Sequence, residues 1–507
     1  MFDVQEGLEI DHQYDRSPGV PRPGKPVLLR VAVPSGYCAV EVVAMTGPGA
    51  PKPRDIEQDG TVYPARRVGS HWEAVLPGMA EGTIVHYVIR AADGAGRVRY
   101  ADGRRPVHAA TVFAHRVSNR RPPAWTNHAV MYQIFVDRFA TAHGPVPVPA
   151  SPHDRAGGDL HGVRRYLPYL ADLGINTLWL TPVFQATNYH GYDAEDLRNV
   201  DERFGGNAAL EAVITDSGAA GIRVILDLVP NHISNRHPWF RDAAEGGRTR
   251  DWFTFAPDGS YASFFGNPGM PKLDLDHPEA RAAMIGAARY WIDEFGIAGY
   301  RIDHVLGPSE SFFAALADAV YRHHPDAWLF GEATATAAFS RRYGGLMDGA
   351  TDFLTAYALR DYFAGELAPE GLVEVEQEAA AVLPHEDFDW VRFFDNHDMD
   401  RGSFLWNDDP SRIAAAVEVL AGLPGVPTIL YGTEQGSVQH QGAYDHGLAV
   451  GRTPMRFDDR LGVFAPVRAA LRRRRASGSP GSIEWTTGAE GTHWRDDGTR
   501  HELPVTG

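Results

Sequence analysis

The chain contains a single cysteine, Cys38, among its 507 residues. With one thiol, neither an intrachain disulfide nor a cysteine-based metal cluster can form. Cys38 stands in an apolar run, where a small buried residue is the expected role. The rest of the composition is ordinary for a soluble globular protein.

Positive charge and long apolar runs are also scarce. The chain has 48 basic and 65 acidic residues, a formal net charge of −17, which argues against a nucleic acid or an anionic membrane as partner. A neutral substrate suits such a surface better. No apolar run is long enough to span a bilayer, and residues 1–6 lack the basic and apolar regions of a secretory leader. These features predict a cytoplasmic protein.

A chain of this length exceeds what one hydrophobic core usually supports, so two or three domains are expected. Residues 1–118 carry short β-prone runs between Gly/Pro turns, which predict a small β-sandwich domain with a hairpin turn at Asp93-Gly94. The predicted strands are 27–33, 39–45, 71–76, 83–91 and 97–100. A packing or spacer role is favoured over glycan binding, because no strand face concentrates Trp or Tyr.

After a proline-rich linker at 120–123, buried strands alternate with amphipathic helices. The clearest helix covers 278–295, because Pro278 suits its first position and Gly296 ends it. The sequence therefore predicts an α/β fold in which residues 124–476 form a (β/α)₈ TIM barrel. Its eight candidate strands are 130–136, 175–180, 224–229, 299–305, 328–331, 346–351, 391–394 and 428–431.

Two further segments complete the expected architecture. Residues 231–274 follow strand three, are too long for a simple loop and are rich in aromatics. They predict a small inserted subdomain over the barrel mouth, with most rings in a miniature core and one or two facing sugar. Residues 477–507 are few and poor in apolar side chains, which indicates a reduced C-terminal β segment.

Polar side chains follow four of the predicted barrel strands. Such barrels carry their chemistry at the carboxyl ends of the strands, so we expect these side chains to meet at one rim. They are Asp227, Asn231 and His232 with strand three, Arg301 and Asp303 with strand four, Glu332 with strand five, and His397 and Asp398 with strand seven.

The chemistry of this set follows from its acids. Arg301 and Asp303 are two positions apart and share one strand face, so the guanidinium would hold the carboxylate ionised. Several acids in one cleft repel each other unless one of them keeps a proton. Glycoside cleavage uses that division, with one protonated and one ionised carboxyl. A third acid can stabilise the positive charge that develops on the sugar.

Residues 227–232, 299–305, 330–333 and 394–398 resemble the four signature regions of the α-amylase family, glycoside hydrolase family 13, in the same order. Further likenesses are residues 189–192 after strand two, 270–274 at the end of the insert and 425–427 before strand eight. The preceding β-domain and the Met-Pro-Lys-Leu motif at 270–273 are most similar to the neopullulanase, cyclomaltodextrinase and maltogenic amylase branch.

The resemblance implies specific roles. Asp303 would be the nucleophile, Glu332 the general acid and base, and Asp398 the acid that stabilises the oxocarbenium-like state. Asp227 and Asn231 would support the site. The implied substrate-binding residues are His190, Tyr192, His232, Arg301, His397, Asp400 and Arg401.

The chain also departs from the family pattern. Many members carry a Lys-His pair after the nucleophile, whereas this chain has His304 followed by an apolar and Gly/Pro-rich segment, which leaves acceptor-side specificity open. The loop at 140–150 is Pro-rich and lacks the Asp/Asn cluster that binds calcium in some relatives. We therefore expect no metal and no required cofactor, although Asn231, at a position where α-amylases use a calcium ligand, leaves calcium open.

The complete acid triad favours a retaining glycoside hydrolase that cleaves α-1,4-glucosidic bonds of maltooligosaccharides, cyclodextrins or related α-glucans. The alternatives are an α-glucan transglycosylase, an α-1,6-cleaving relative, and a non-catalytic glycan-binding protein that has kept the barrel. The substrate partner is thus an α-glucan oligosaccharide. The resemblance also allows a homodimer, since relatives in this branch often pair through the N-terminal domain.

Overall fold

The computed structural model of the protein describes residues 10–101, 110–481, 483–488, 491–496 and 499–504. Its N-terminal part contains nine strands in two antiparallel sheets, and one helix, Pro53–Asp59. The strands are Arg16–Ser17, Val27–Ala32, Tyr37–Thr46, Thr61–Pro64, Arg66–Val68, His71–Leu76, Ile84–Asp93, Val98–Tyr100 and Phe113–Arg116.

The two sheets enclose one core, as a sandwich requires. Alternate residues of Val27–Ala32 point inward and pack against the inward residues of Tyr37–Thr46 and Ile84–Asp93. The predicted β-sandwich is therefore confirmed. The expected burial of Cys38 is wrong, because the thiol is exposed beside Ala92 at the start of its strand, where the Tyr37–Thr46 ladder shifts register.

The helix Pro53–Asp59 was not expected from the sequence. It lies within a Gly/Pro-rich stretch, but Pro53 occupies its first turn and the Asp55 carboxylate accepts from the Lys52 backbone N–H at 2.9 Å. These two features are typical of helix starts. Only Ile56 of this helix is buried, so its apolar pattern was too weak to reveal it.

Eight parallel strands close into a barrel in sequence order, and the eighth pairs with the first. The predicted (β/α)₈ barrel is thus confirmed. Barrel strands one to eight are Met131–Ile134, Thr177–Leu180, Arg223–Leu228, Gly299–Ile302, Trp328–Gly331, Gly349–Thr351, Asp389–Arg392 and Val426–Leu430. Strands seven and eight begin two residues earlier than predicted, because the ladder pairs Asp389 with Gly349 and Val426 with Val391.

The helices that cover the barrel begin and end largely as local chemistry requires. Pro278–Phe295 has Pro278 in its first turn and ends at Gly296, whose φ of 68° is left-handed. Pro168 interrupts the helical pattern near Tyr166, so two short helices replace one long one. The α-helices of this region are Val136–Phe139, Leu160–Arg165, Leu167–Leu173, Gly206–Ala219, Pro238–Ala244, Pro278–Phe295, Glu310–Tyr321, Ala337–Ser340, Phe353–Ala364, Pro369–Val382, Gly402–Leu405, Pro410–Gly422, Ala443–His446 and Phe464–Ser477.

Short connecting elements complete the chain. The 3₁₀ turns are Ala124–His128, Glu202–Phe204, Arg250–Trp252, Phe264–Gly266, Arg341–Tyr343, Thr433–Gln435 and Leu448–Gly451, and a two-residue ladder joins Ala140–Thr141 to Gly144–Pro145. The C-terminal sheet contains Glu484–Gly488, Gly491–Asp496 and Thr499–Glu502. Trp494 of this sheet is buried against the barrel helix that ends at Gly422. The contact is so close that a Cβ on Gly422 would lie 2.6 Å from the Trp494 ring.

The insert between strand three and the helix Pro278–Phe295 is a compact layer beside the barrel mouth. Isolated bridges such as His232–Lys272 and Phe253–Leu273 hold it together. Phe240, Trp252 and Phe253 are buried, as expected for a miniature core. Phe265 is 86% exposed, and the expectation that one or two rings face sugar stays a prediction.

The N-terminal domain docks on the side of the barrel. Tyr14 Oη donates to Glu310 Oε1 at 2.7 Å, and Arg116 forms an ion pair with Asp318 at 2.6 Å. Both acids belong to the helix Glu310–Tyr321, which follows strand four. The domain therefore braces the helix that succeeds the strand bearing Arg301.

A search of the described part of the chain finds no helix that combines the length and apolar content needed to cross a bilayer.

Candidate active site

One buried guanidinium joins three of the predicted acids. Arg301 on strand four is 1% exposed, and its Nη1 donates to Asp227 Oδ1 and to Asp303 Oδ1, both at 2.8 Å. Its Nη2 lies 2.7 Å from Glu332 Oε1. The ends of strands three, four and five therefore meet at a single side chain. Asp303 and Glu332 bond to the two terminal nitrogens of one guanidinium, so they face the same small volume.

The backbone around strand four fixes this meeting point. Gly299 lies so close to strand five that a Cβ would sit 1.9 Å from the Trp328 carbonyl oxygen, so only glycine permits the pairing. After the strand, His304 adopts a left-handed φ of 43°, and its N–H donates to Glu332 Oε2 at 3.0 Å. Glu332 is thereby held at one oxygen by Arg301 and at the other by the turn after Asp303.

Burial shapes the protonation of these acids. It raises the pKa of Asp303 to about 7 and that of Glu332 to about 7, while the Arg301 charge acts in the opposite direction on both. Burial also raises the pKa of Asp227 to about 6. Burial therefore favours a protonated carboxyl in this group near neutral pH, and catalysis by paired carboxyls needs one such acid beside an ionised one.

Asp398 behaves in the opposite way. Burial alone would raise its pKa, but His397 and the Arg452 charge outweigh that effect and lower it to about 2. Arg452 Nη2 lies 2.5 Å from Asp398 Oδ1, and His397 Nε2 lies 3.2 Å from Oδ2. Asp398 is therefore ionised across the ordinary pH range.

Arg452 was not predicted from the sequence. Besides Asp398 it donates through Nε to the His397 carbonyl at 2.9 Å and through Nη1 to Tyr189 Oη at 3.0 Å. It stands in the loop between strand eight and the last helix, well beyond the strand end itself. No local pattern in the sequence marks this arginine as part of the site.

Tyr192 and His397 form a rigid pair on the wall of the site. Their rings stack with centroids 5.5 Å apart and an interplanar angle of 6°. The Tyr192 hydroxyl donates to Asp227 Oδ2 at 3.0 Å and accepts from His397 Nε2 at 2.6 Å. Gln133 donates to His397 Nδ1 at 2.6 Å, so the ring carries its proton on Nε2.

Two other predicted histidines lie nearby in neutral form. His190 Nδ1 accepts from the Tyr192 backbone N–H at 3.1 Å, and burial lowers its pKa to about 4. His232 is stacked on Phe264 with centroids 4.3 Å apart, and Asn231 Nδ2 lies 3.1 Å from its Nδ1. The His232 Nε2 atom is buried and has no hydrogen-bond partner among the described residues.

The remaining two predicted residues lie beside the site. Asp400 Oδ1 accepts from the Ala443 N–H at 2.7 Å. Arg401 is 1% exposed and donates to the carbonyl oxygens of Gly451 at 2.9 Å and Tyr431 at 2.8 Å. These contacts hold the loop that presents Arg452. The Nη2 atom of Arg401 has no hydrogen-bond partner among the described residues, and the expected sugar-binding role of Arg401 stays a prediction.

The described residues contain no group of three or more His, Cys, Asp or Glu side chains arranged to hold a metal ion. Asn231, the residue that left calcium open, has its side chain against His232 and beneath Gly307. The independence from calcium stays a prediction.

A parallel eight-stranded barrel whose mouth holds two carboxyls with raised pKa values and a third, ionised acid belongs to the class of barrels built for glycosidic bond cleavage. Comparison with known proteins agrees. The family described as "Alpha amylase, catalytic domain" matches residues 133–460. The chain is 34% identical over 332 residues to "Alpha-amylase 2" of Dictyoglomus thermophilum, covering 64% of this chain and 58% of that relative.

Two further comparisons point to the same branch. A "Cyclomaltodextrinase" of a Bacillus species is 31% identical over 396 residues, covering 72% of this chain and 68% of the relative. A solved structure of a "Cyclomaltodextrinase" superposes with a TM-score of 0.68 at 25% identity, covering 96% of this chain and 89% of that one. The chain belongs to the α-amylase family, glycoside hydrolase family 13. Its resemblance to the cyclomaltodextrinase branch is confirmed, and it matches 58% of the length of the first curated relative.

Proposed function

We propose that this protein is a retaining glycoside hydrolase that cleaves α-1,4-glucosidic bonds in maltooligosaccharides and cyclodextrins. The observation that carries the proposal is the bonding of Asp303 and Glu332 to the two ends of the Arg301 guanidinium. Retaining enzymes need two carboxyls close together, one ionised and one protonated. The name of the Bacillus relative supports the substrate class.

In the proposed first step, the ionised Asp303 attacks the anomeric carbon and forms a covalent glycosyl-enzyme. Glu332 gives its proton to the departing oxygen at the same time. In the second step Glu332, now ionised, takes a proton from water, and that water displaces Asp303. The configuration at the anomeric carbon is retained because it is inverted twice.

The neighbouring groups supply orientation and charge. Arg301 stabilises the ionised form of Asp303 against the effect of burial. Asp398, held ionised by His397 and Arg452, faces the positive charge that develops on the sugar. The His232 imidazole and the Tyr192 ring are suited by their chemistry to bind hydroxyls and the sugar face, respectively.

The test replaces each acid by its amide, which preserves shape. Asp303→Asn should lower kcat on maltotriose by roughly 10⁴-fold or more, because the nucleophile is lost. Glu332→Gln should lower turnover of maltotriose similarly, yet still form the glycosyl-enzyme from α-maltosyl fluoride, whose leaving group needs no proton. Proton NMR of the first product reports the anomer, and an α-anomer is expected.

Asp216→Asn is a matched control, since Asp216 pairs with Arg164 on an outer helix. It should keep wild-type rates. Full activity of Asp303→Asn, or a β-anomeric first product, would refute the mechanism. Parallel incubations with cyclodextrins and pullulan separate α-1,4 hydrolysis from α-1,6 cleavage and from transfer to sugar acceptors, which share the same intermediate.

We further propose a cytoplasmic homodimer. The exposed free thiol of Cys38 suits a reducing compartment.

The N-terminal domain exposes large apolar side chains, which are candidates for a subunit contact: Val62, Val75, Val98 and Tyr100. Light scattering of wild type and of Val75→Glu tests the assembly, and cell fractionation tests the compartment. A monomeric wild type at micromolar concentration would overturn the dimer.

A further inference from the structure

The loop after strand one brings an arginine without a partner to the edge of the active site. Arg155 is half-buried, and its Nη2 atom is fully enclosed. Arg155 has no hydrogen bond or ion pair with any residue in the part of the chain that the structure describes. A buried donor of this kind is costly unless something satisfies it, so its position needs an explanation.

The backbone on both sides of Arg155 is firmly held. Arg138 Nη2 donates to the carbonyl oxygens of Pro152 and Asp154, each at 2.8 Å. The Ala156 N–H donates to Asp137 Oδ2 at 2.9 Å. The side chain therefore projects from a fixed segment, and its position follows from the fold.

This segment is joined directly to the catalytic groups. The Arg138 guanidinium lies over the Tyr189 ring at 4.4 Å, and its Nε donates to the Arg452 carbonyl at 3.0 Å. Arg452 in turn binds Asp398. Arg155 is also close enough to His190 for its charge to act on that ring. The free guanidinium thus lies on the His190 side of the site.

The acids around Arg155 explain why it stays unpaired. Asp201 is engaged by Arg203, Asp193 accepts from Asn188 at 2.7 Å, and Asp137 accepts from Arg138 and two backbone amides. Each neighbouring carboxylate is already occupied. Nη2 is enclosed, so the other two nitrogens of this half-buried side chain are the donors that remain for a group that enters from solution.

We propose that Arg155 is a substrate-binding residue that donates hydrogen bonds to hydroxyls of the α-glucan on the His190 side of the cleaved bond. This inference rests on the proposed function. A neutral hydroxyl fits better than an anion, because Asp137, Asp193 and Asp201 surround the guanidinium and the whole chain carries a net charge of −17. Sugar hydroxyls accept well from an arginine fork.

Arg155→Ala and Arg155→Lys test the assignment. Arg155→Ala should lower kcat/KM for maltotriose roughly tenfold to a hundredfold, the usual effect of losing a hydrogen bond to a charged group. Arg155→Lys should recover part of that loss, since it keeps the charge without the planar fork. Arg164→Ala is the matched control, because Arg164 pairs with Asp216 on the outer surface, and it should change kcat/KM less than about twofold.

A binding measurement separates this inference from the proposed function. In an Asp303→Asn background, calorimetry with maltotriose should show a Kd raised by Arg155→Ala and not by Arg164→Ala. A wild type that is inactive on all α-glucans would refute the proposed function. The calorimetry would still show whether Arg155 contacts the bound glucan. Equal Kd and kcat/KM for the Arg155→Ala and Arg164→Ala variants would overturn the inference. The inference would also be overturned if inorganic phosphate inhibited the wild type competitively and Arg155→Ala abolished that inhibition, because Arg155 would then bind anions.

Discussion

Arg301 and Asp303 stand two residues apart across the end of strand four, with Nη1 of the first 2.8 Å from Oδ1 of the second. Opposite charges at that distance in a buried site attract strongly. Burial acts to lower the pKa of Arg301, but the surrounding acids outweigh it and raise that pKa well above its ordinary value. The arginine therefore stays charged at every working pH. The same guanidinium also binds Asp227 and Glu332, so the geometry of three acids depends on one planar side chain.

Arg301→Lys should be severely impaired. A lysine ammonium cannot reach three carboxylates in the fixed directions of a guanidinium, although it keeps the positive charge. We expect kcat/KM for maltotriose to fall roughly 10²- to 10³-fold, the effect of losing a preorganised donor. Steady-state kinetics checks the rate, and circular dichroism checks the fold. A lysine variant with near wild-type turnover would show that charge alone suffices.

The dependence of activity on pH follows from the two raised pKa values. Asp303 must be ionised, so activity should rise as the pH climbs through its pKa of about 7. Glu332 must be protonated in the first step, so activity should fall as the pH climbs through its pKa of about 7. The profile of kcat/KM should therefore be a narrow bell centred near neutral pH.

Glu332→Gln with α-maltosyl fluoride provides the control for this profile. Without the titrating acid, the rate of glycosyl-enzyme formation should lose the alkaline limb and keep the acid limb that belongs to Asp303. A broad plateau extending from about pH 5 to about pH 9 in the wild type would contradict the proton-sharing pair.

Much of this molecule could be predicted from the sequence, because its strands are short apolar runs that end in polar residues. The helix Pro278–Phe295 has the bounds that its proline and glycine indicate. The acids at the ends of strands three, four and five converge as the rule for barrel rims requires. The local residue pattern and the barrel topology together were sufficient to predict the bounds of this helix and the convergence of these acids.

Arg452 could not be predicted in the same way. Its contact with Asp398 depends on the closure of the barrel, in which strand eight pairs with strand one through Met131 and Thr428. No local periodicity reports such a long-range approach. For the same reason the sequence did not reveal that Arg401 donates to the carbonyl oxygens of Gly451 and Tyr431.

Arg452→Met should test the support of Asp398. The substitution keeps most of the volume and removes Arg452, one of the three groups that lower the pKa of Asp398, so that pKa should rise. We expect kcat to fall roughly tenfold to a hundredfold, because the developing positive charge is stabilised less well. Arg468→Met is the control, since Arg468 pairs with Asp172 on the surface. Equal kcat in the two variants would remove Arg452 from the site.

Removal of divalent metal should have no effect on the stability of this protein or on its proposed activity. The described residues offer no cluster of metal ligands, and Asn231 is engaged with His232. Dialysis against EDTA should leave both Tm and kcat unchanged within error, and added calcium should not raise them. A Tm that falls on chelation and recovers with calcium alone would contradict the expectation, because a folded-state site stabilises in proportion to its occupancy.

A second buried arginine offers a test of stability that does not involve the proposed catalytic groups. Arg392 on strand seven binds Asp352 and Glu376, and all three side chains are almost fully enclosed. Arg392→Met would leave two buried carboxylates without a cation, which should lower the free energy of unfolding by about 3–5 kcal/mol. Urea unfolding measures the loss, and kcat per folded molecule should stay near the wild-type value.

The pH dependence of that loss identifies its cause. Burial already raises the pKa of Glu376, and without Arg392 it should rise further, so the folded state binds a proton that the unfolded state releases near its ordinary pKa. Stability of Arg392→Met should therefore be highest at low pH and decline as the pH rises through the folded pKa. The deficit relative to wild type should be larger at about pH 8 than at about pH 5. A deficit that is the same at both pH values would mean that lost packing, and not unpaired charge, destabilises the variant.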